Sequence, residues 1–133
     1  LFRFGEVSMS DVQSMVRNVS NKAGKRQITE LHILDHGNKH SLQFGNTSIS
    51  SMNIASYTSE LMKLRSKFAP TVFVRLYHCK IGNNRYILTE LARIWGVTVY
   101  AGTGNTNAAF GFNFGNYNAG SPNGTFISDA GLP

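Results

Sequence analysis

Two short apolar runs, each ending in a reactive side chain, constrain this chain more than any other feature. The first is Ile28-Thr-Glu-Leu-His-Ile-Leu34, followed at once by Asp35, His36 and Gly37. The second is Thr71-Val-Phe-Val-Arg-Leu-Tyr77, followed by His78 and Cys79, the single cysteine. Both runs are short and rich in branched aliphatic and aromatic residues, which predicts buried strands. A histidine and the cysteine therefore fall at the carboxyl ends of two strands. That is the edge at which open α/β sheets bind ligands.

Composition sets the outer limits. The chain has 133 residues, which suits one domain over 1–133. Hydrophobic residues make up 41% and charged residues 15%, a globular balance and not a disordered one. No apolar run is long enough to cross a bilayer. A single cysteine excludes an internal disulfide and any multi-cysteine zinc site. The chain begins at Leu1, so a fragment of a longer protein is expected. The net charge of +6 suits an acidic partner. The bases are scattered, however, over Lys22, Lys25, Arg26, Lys63, Arg65, Lys67, Arg75, Lys80, Arg85 and Arg93. Solvated helix faces account for that scatter, and no nucleic-acid motif accompanies it, so nucleic acid is not the expected partner.

The elements alternate. Met9, Val12, Met15, Val16 and Val19 recur at helical spacing over residues 8–23, with Asp11 near the start. A turn at Gly24 leads into the first strand. Residues 41–49 read as a small hairpin turning at Gly45-Asn46. Ile54, Tyr57, Leu61, Leu64 and Phe68 predict a helix over 54–68, stopped by Pro70. The strand from Thr71 follows. Ile87, Leu88, Leu91 and Trp95 predict a helix over 84–95 with Gly96 as its cap, and 97–101 reads as a third core strand. This order predicts a mainly parallel sheet with helices on both faces. Beyond Gly102 the chain turns rich in glycine and asparagine. Phe110, Phe112 and Phe114 alternate there, which predicts one strand of a C-terminal hairpin with residues 124–128 as partner.

A thiol and an imidazole brought to one sheet edge are a nucleophile and a general base. His36 and Cys79 are the candidates. His32 alternates with Leu31 and Ile33 and is expected to be packed or at a sheet edge. His40 lies in a loop and is expected in solvent. His36, His40, His78 and Cys79 match no common zinc spacing, so neither a metal nor a cofactor is expected. Gly102-Thr103-Gly104 lacks the third glycine and the helix of a dinucleotide fingerprint. It reads as a flexible lip beside the cleft.

A hydrophobic strand ending in His-Gly, then a second ending in Cys, resembles the caspase-like cysteine peptidases. That group includes the legumain type and the cysteine protease domains of bacterial toxins. Leu31-His-Ile-Leu-Asp-His-Gly37 is similar to the legumain pattern, in which Asp also precedes His-Gly. Residues 41–49 look like the hairpin that follows this histidine in bacterial members. Residues 90–101 are similar to the helix and strand that follow the cysteine. The resemblance covers residues 28–104. Its departure is His78, where the group carries a small residue.

The resemblance implies a caspase-like α/β fold and a cysteine hydrolase acting on a peptide or amide bond. Cys79 would be the nucleophile and His36 the base. The backbone N–H groups of Gly37 and Cys79 would form the oxyanion hole. Read from the residues themselves, Asp35 would polarise the site, border the substrate or pair as a loop carboxylate with a nearby base, and Gly102 and Thr103 would border the substrate. The implied partners are a protein or peptide substrate and a cognate inhibitor or immunity protein. The implied setting is a secreted or delivered bacterial effector, a toxin or a self-processing module. Two readings stand beside this one: a non-catalytic caspase-like domain that binds a protein, and a basic domain that binds nucleic acid or polyphosphate. His78 shares the strand phase of Val72, Val74 and Leu76, so it is expected beneath the site and not within it.

Overall fold

A computed structural model describes residues 7–107 and 112–133. The first helix, α1, spans Val12–Ala23. Asp11 caps it: its carboxylate accepts the Ser14 N–H at 2.8 Å, while the Ser14 hydroxyl accepts the Asp11 N–H at 3.0 Å. This reciprocal pair satisfies donors that the first helical turn leaves open. Val12, Met15, Val16 and Val19 form its buried face.

Strand β1 covers Ile28–Ile33, and the hairpin β2–β3 covers Ser41–Phe44 and Thr47–Ser50. Gly45 turns that hairpin at φ +60°, a conformation that favours glycine. The predicted helix over 54–68 is broken in three. A 3-10 turn at Ile54–Tyr57 runs into the short helix α2, Thr58–Met62, and a second 3-10 turn covers Arg65–Lys67. Ser56, Thr58 and Ser59 are weak helix formers, and Asn53 spends its side chain on the Ser50 N–H and Ser48 O just ahead of the segment. Leu61 and Leu64 stay buried across the break.

Pro70 does not stop a helix. Strand β4 already begins at Phe68 and runs Phe68–Leu76, with Pro70 inside it. Its register against β1 steps from Ile28↔Phe68 to Glu30↔Phe73. The extra residues around Pro70 bulge out where β4 faces β1 alone, a place that tolerates a missing N–H. Helix α3, Arg85–Trp95, is capped by Asn84, whose side chain accepts the Ile87 N–H at 3.0 Å. Gly96 ends it at φ +69°. Strand β5 follows at Thr98–Gly102.

The tail differs from its expectation. Phe112–Asn113 forms β7, which pairs with β6 at Thr106–Asn107. The strand opposite β9 (Phe126–Ile127) is β8, Tyr117–Gly120, and not the phenylalanine run. Phe110 lies outside the described residues. Alternating phenylalanines marked extended chain but not its partner, since glycine and asparagine turns decide where such a chain reverses.

The main sheet has the order β1-β4-β5-β8-β9. Its first three strands are parallel and the last two antiparallel. The molecule is thus mixed α/β, a largely parallel sheet flanked by helices. Among the described residues the helices lie on one face, not two. Successive right-handed crossovers from β1 to β4 to β5 run the same way across the sheet, so α2 and α3 land on the same side. Helix α1 contacts α2 there. Ile33, Val72, Val74, Leu76, Val99 and Ala101 turn toward these helices and are buried. Trp95 closes the layer, its indole donating to Leu61 O at 2.9 Å and its ring edge-on to Phe68. The opposite face carries His32, Phe73, Arg75 and Tyr100, all half-buried.

Candidate functional site

Strands β1 and β4 are parallel neighbours, so both predicted reactive residues leave the sheet on one edge. The ladder extends past the strand ends, where the Tyr77 N–H donates to Ile33 O at 2.8 Å. Asp35 then turns the chain. Its carboxylate accepts the His36 N–H at 2.7 Å and the Gly45 N–H at 2.7 Å. Asp35 therefore fastens the tip of the β2–β3 hairpin by backbone donors.

His36 and Gly37 pair antiparallel with β2. The Gln43 N–H donates to His36 O and the Asn38 N–H to Ser41 O, both at 3.0 Å, and these two bonds bracket the Gly37–Leu42 bridge. Gly37 is thus a non-hydrogen-bonded position of the ladder, and its own N–H is not used by the hairpin. The imidazole of His36 is exposed. Gly37 meets the end of β4 closely. A Cβ on it would stand 2.8 Å from His78 Cβ and 3.4 Å from Cys79 O. The absence of a side chain is what allows the His-Gly segment and the His-Cys segment to touch.

After β4 the chain carries His78, fully buried, then half-buried Cys79. His78 Nε2 lies 2.7 Å from Gln43 O. Burial pushes its pKa down to about 4, although the Gln43 carbonyl and Asp35 oppose that shift. His78 is therefore neutral at ordinary pH. Lys80 reverses the chain at φ +61°, and its N–H donates to Gly104 O at 2.8 Å. The Thr106 N–H donates to Cys79 Sγ at 3.3 Å.

Gly102, Thr103 and Gly104 are brought beside the Lys80 turn, but as a tied segment and not a loose lip. Asn83 Nδ2 donates to Lys80 O at 2.9 Å and to Thr103 O at 2.8 Å, and the Thr103 N–H donates to Asn116 O. Asn113 holds the rest. Its side chain accepts the N–H groups of Gly104 and Gly115 at 2.8 Å and donates to Gly104 O at 2.7 Å and Thr106 Oγ1 at 3.0 Å. Its own N–H donates to the Tyr117 hydroxyl. Thr106 and Asn113 were not among the predicted residues. The one sequence signal for them is asparagine between glycines, the composition of side-chain-closed turns.

Two other histidines fall elsewhere. His32 sits on the helix-free face, with Tyr77 and Glu30 each 2.8 Å from its ring nitrogens. His40 is exposed in the turn before β2. Among the described residues no cluster of His, Cys, Asp and Glu is arranged to hold a metal ion. No described helix is long and apolar enough to cross a membrane.

The sequence pattern of a family described as a domain of unknown function, DUF4347, matches residues 6–119. No curated protein and no solved structure matches the chain. The matched span holds α1, the parallel core and every residue of the edge just described, from Asp35 through Asn113. The chain therefore belongs to the DUF4347 family.

Proposed function

We propose that this chain is a caspase-like cysteine hydrolase that cleaves a peptide or amide bond, with Cys79 as nucleophile and His36 as general base. The observation that carries this reading is the meeting of the two parallel strand ends, where Gly37 lies against His78 and Cys79. The family description names no activity, so the support is geometric and chemical.

In the proposed reaction the Cys79 thiol gives its proton to the His36 imidazole, and the sulfur attacks the substrate carbonyl carbon. The carbonyl oxygen gains the negative charge and accepts hydrogen bonds from the N–H groups of Gly37 and Cys79. Neither N–H is committed to another acceptor among the described residues. The tetrahedral adduct collapses, the carbon–nitrogen bond breaks, and His36 returns its proton to the leaving amine. Water then hydrolyses the thioester. The Thr106 N–H holds the Cys79 sulfur through a hydrogen bond. Asp35 serves by holding the hairpin in place, and the Gly102–Thr103 segment, tied to the Lys80 turn through Asn83, borders the substrate.

The test is labelling of Cys79 by a peptidyl thiol-reactive electrophile, beside hydrolysis of a peptide library. Cys79→Ala should abolish turnover, and His36→Ala should slow labelling by about 100-fold or more. His32→Ala and His40→Ala should change it little. Undiminished hydrolysis by Cys79→Ala would end the hydrolase reading. A folded domain that captures protein partners yet never labels faster with His36 present would favour the non-catalytic alternative.

A further inference from the structure

We propose that His78 is a positioning residue: its buried imidazole fastens the hairpin that carries His36 to the strand that carries Cys79. The catalytic consequence rests on the hydrolase reading above; the fastening rests on hydrogen-bond geometry alone.

A carbonyl oxygen only accepts, so the bond to Gln43 O puts the proton on Nε2 of His78. Nδ1 is then a bare lone pair, buried and without a partner. An apolar ring would fill the same volume beside Phe44 without that unsatisfied nitrogen. What the imidazole adds is the one bond it makes. That bond ties the end of β4 to β2. Gln43 passes the tie on, because its own N–H donates to His36 O at 3.0 Å. Two bonds through one residue thus connect His78 to the backbone of His36. Asp35 holds the hairpin tip through Gly45, two residues beyond Gln43, so the turn end of the hairpin is fastened twice. Cys79 is the next residue after His78, and the same bond sets how far the His36 segment stands from the sulfur. The buried ring offers no lone pair to a substrate, which separates this role from that of a second base.

The experiment compares the parent chain with His36→Ala, His78→Gln and His78→Phe. Glutamine places an amide N–H close to where Nε2–H sits, whereas phenylalanine keeps the bulk and loses the donor. Two quantities are read: hydrogen exchange at the Gln43 amide against amides of β5, and the pH profile of Cys79 alkylation by iodoacetamide. In His78→Phe, Gln43 exchange should accelerate by about tenfold or more with β5 unchanged. The part of the alkylation profile that depends on His36 should fall by about tenfold or more, as displacement of a catalytic group predicts. His78→Gln should restore both. Unchanged Gln43 exchange in a folded His78→Phe overturns the proposal. If His78→Phe does not fold, His78→Asn, too short to reach Gln43 O, replaces it. If parent and His36→Ala alkylate alike at every pH, the hydrolase reading falls, and the exchange arm still decides the fastening.

Discussion

At Gly37 a single added methyl group is the sharpest probe of the site. The Gly37→Ala Cβ would press on His78 Cβ at 2.8 Å, inside any ordinary contact. Neither backbone can retreat freely, since hydrogen bonds hold the residues that flank them: His36 and Asn38 to the hairpin, Tyr77 to Ile33 and Lys80 to Gly104. The expected cost is about 1–3 kcal/mol, the usual range for overpacking, read from urea unfolding. A cost near zero would mean that the strand ends are looser than this contact requires. His78 makes a second prediction, on pH. Its folded pKa of about 4 lies below the ordinary histidine value of 6.5. Between those values the unfolded chain binds the proton and the folded chain does not, so stability rises with pH through this window. The contribution is complete above pH 6.5 and is lost as pH falls toward 4. It amounts to about 3 kcal/mol, because each pKa unit is worth about 1.4 kcal/mol. His78→Phe should flatten that part of the stability–pH curve. An identical acid slope in the variant would refute the assignment.

Among the elements, the turn at residues 103–106 depends on a side chain more than on its own backbone. Asn113→Ala deletes both of the donors and the acceptor that close this turn, at an expected cost of about 2–3 kcal/mol. Asn113→Asp keeps the acceptor for Gly104 and Gly115 and should fall between parent and alanine in thermal unfolding. Equal losses would show that the acceptor contributes nothing. Elements with strong periodicity were legible in the sequence. Helices α1 and α3 carry their caps at Asp11, Asn84 and Gly96, and β1, β4 and β5 are the three apolar runs. The 54–68 segment was misread because its apolar spacing is helical while its serines and threonines are not. The spacing survives in the buried Ile54, Leu61 and Leu64, carried by a chain of 3-10 and α turns. Phe68 fitted the helical stripe yet belongs to β4, where it meets Trp95. The site divides in the same way. That His36, Gly37 and Cys79 share one sheet edge was visible because strand ends follow from local pattern. Thr106 and Asn113 were not, because their roles depend on a turn closed from a distant strand.

For the molecule as a whole, protection from solvent should grade outward from one strand. β4 has a hydrogen-bonded neighbour on each side, β1 and β5, and its Val74 and Leu76 face the helix layer. Its amides and those of β5 should exchange most slowly, near the rate of global unfolding, and those of β9 and β1 fastest within the sheet. Slower exchange in β9 than in β4 would contradict this ordering. The helix layer on one face also separates two duties. Ile87, Leu88, Leu91 and Trp95 build the core from one side of the sheet, while the reactive residues stand at its edge and touch little of that core. Substitutions at Cys79 and His36 should for that reason leave the melting temperature nearly unchanged.

The edge position of β1 gives the molecule a mechanical character. Among the described residues β1 hydrogen-bonds to β4 and to no other strand of the sheet, and the bulge near Pro70 already thins that seam. Cys79 follows an interior strand, whereas His36 follows the edge strand β1. A load applied to β1 itself would open that seam and shift His36 relative to Cys79, with α3 and the pairing of β4 to β5 still intact. The chemistry proposed here would then fail under load well before the domain does, and it would return when the strand snapped back.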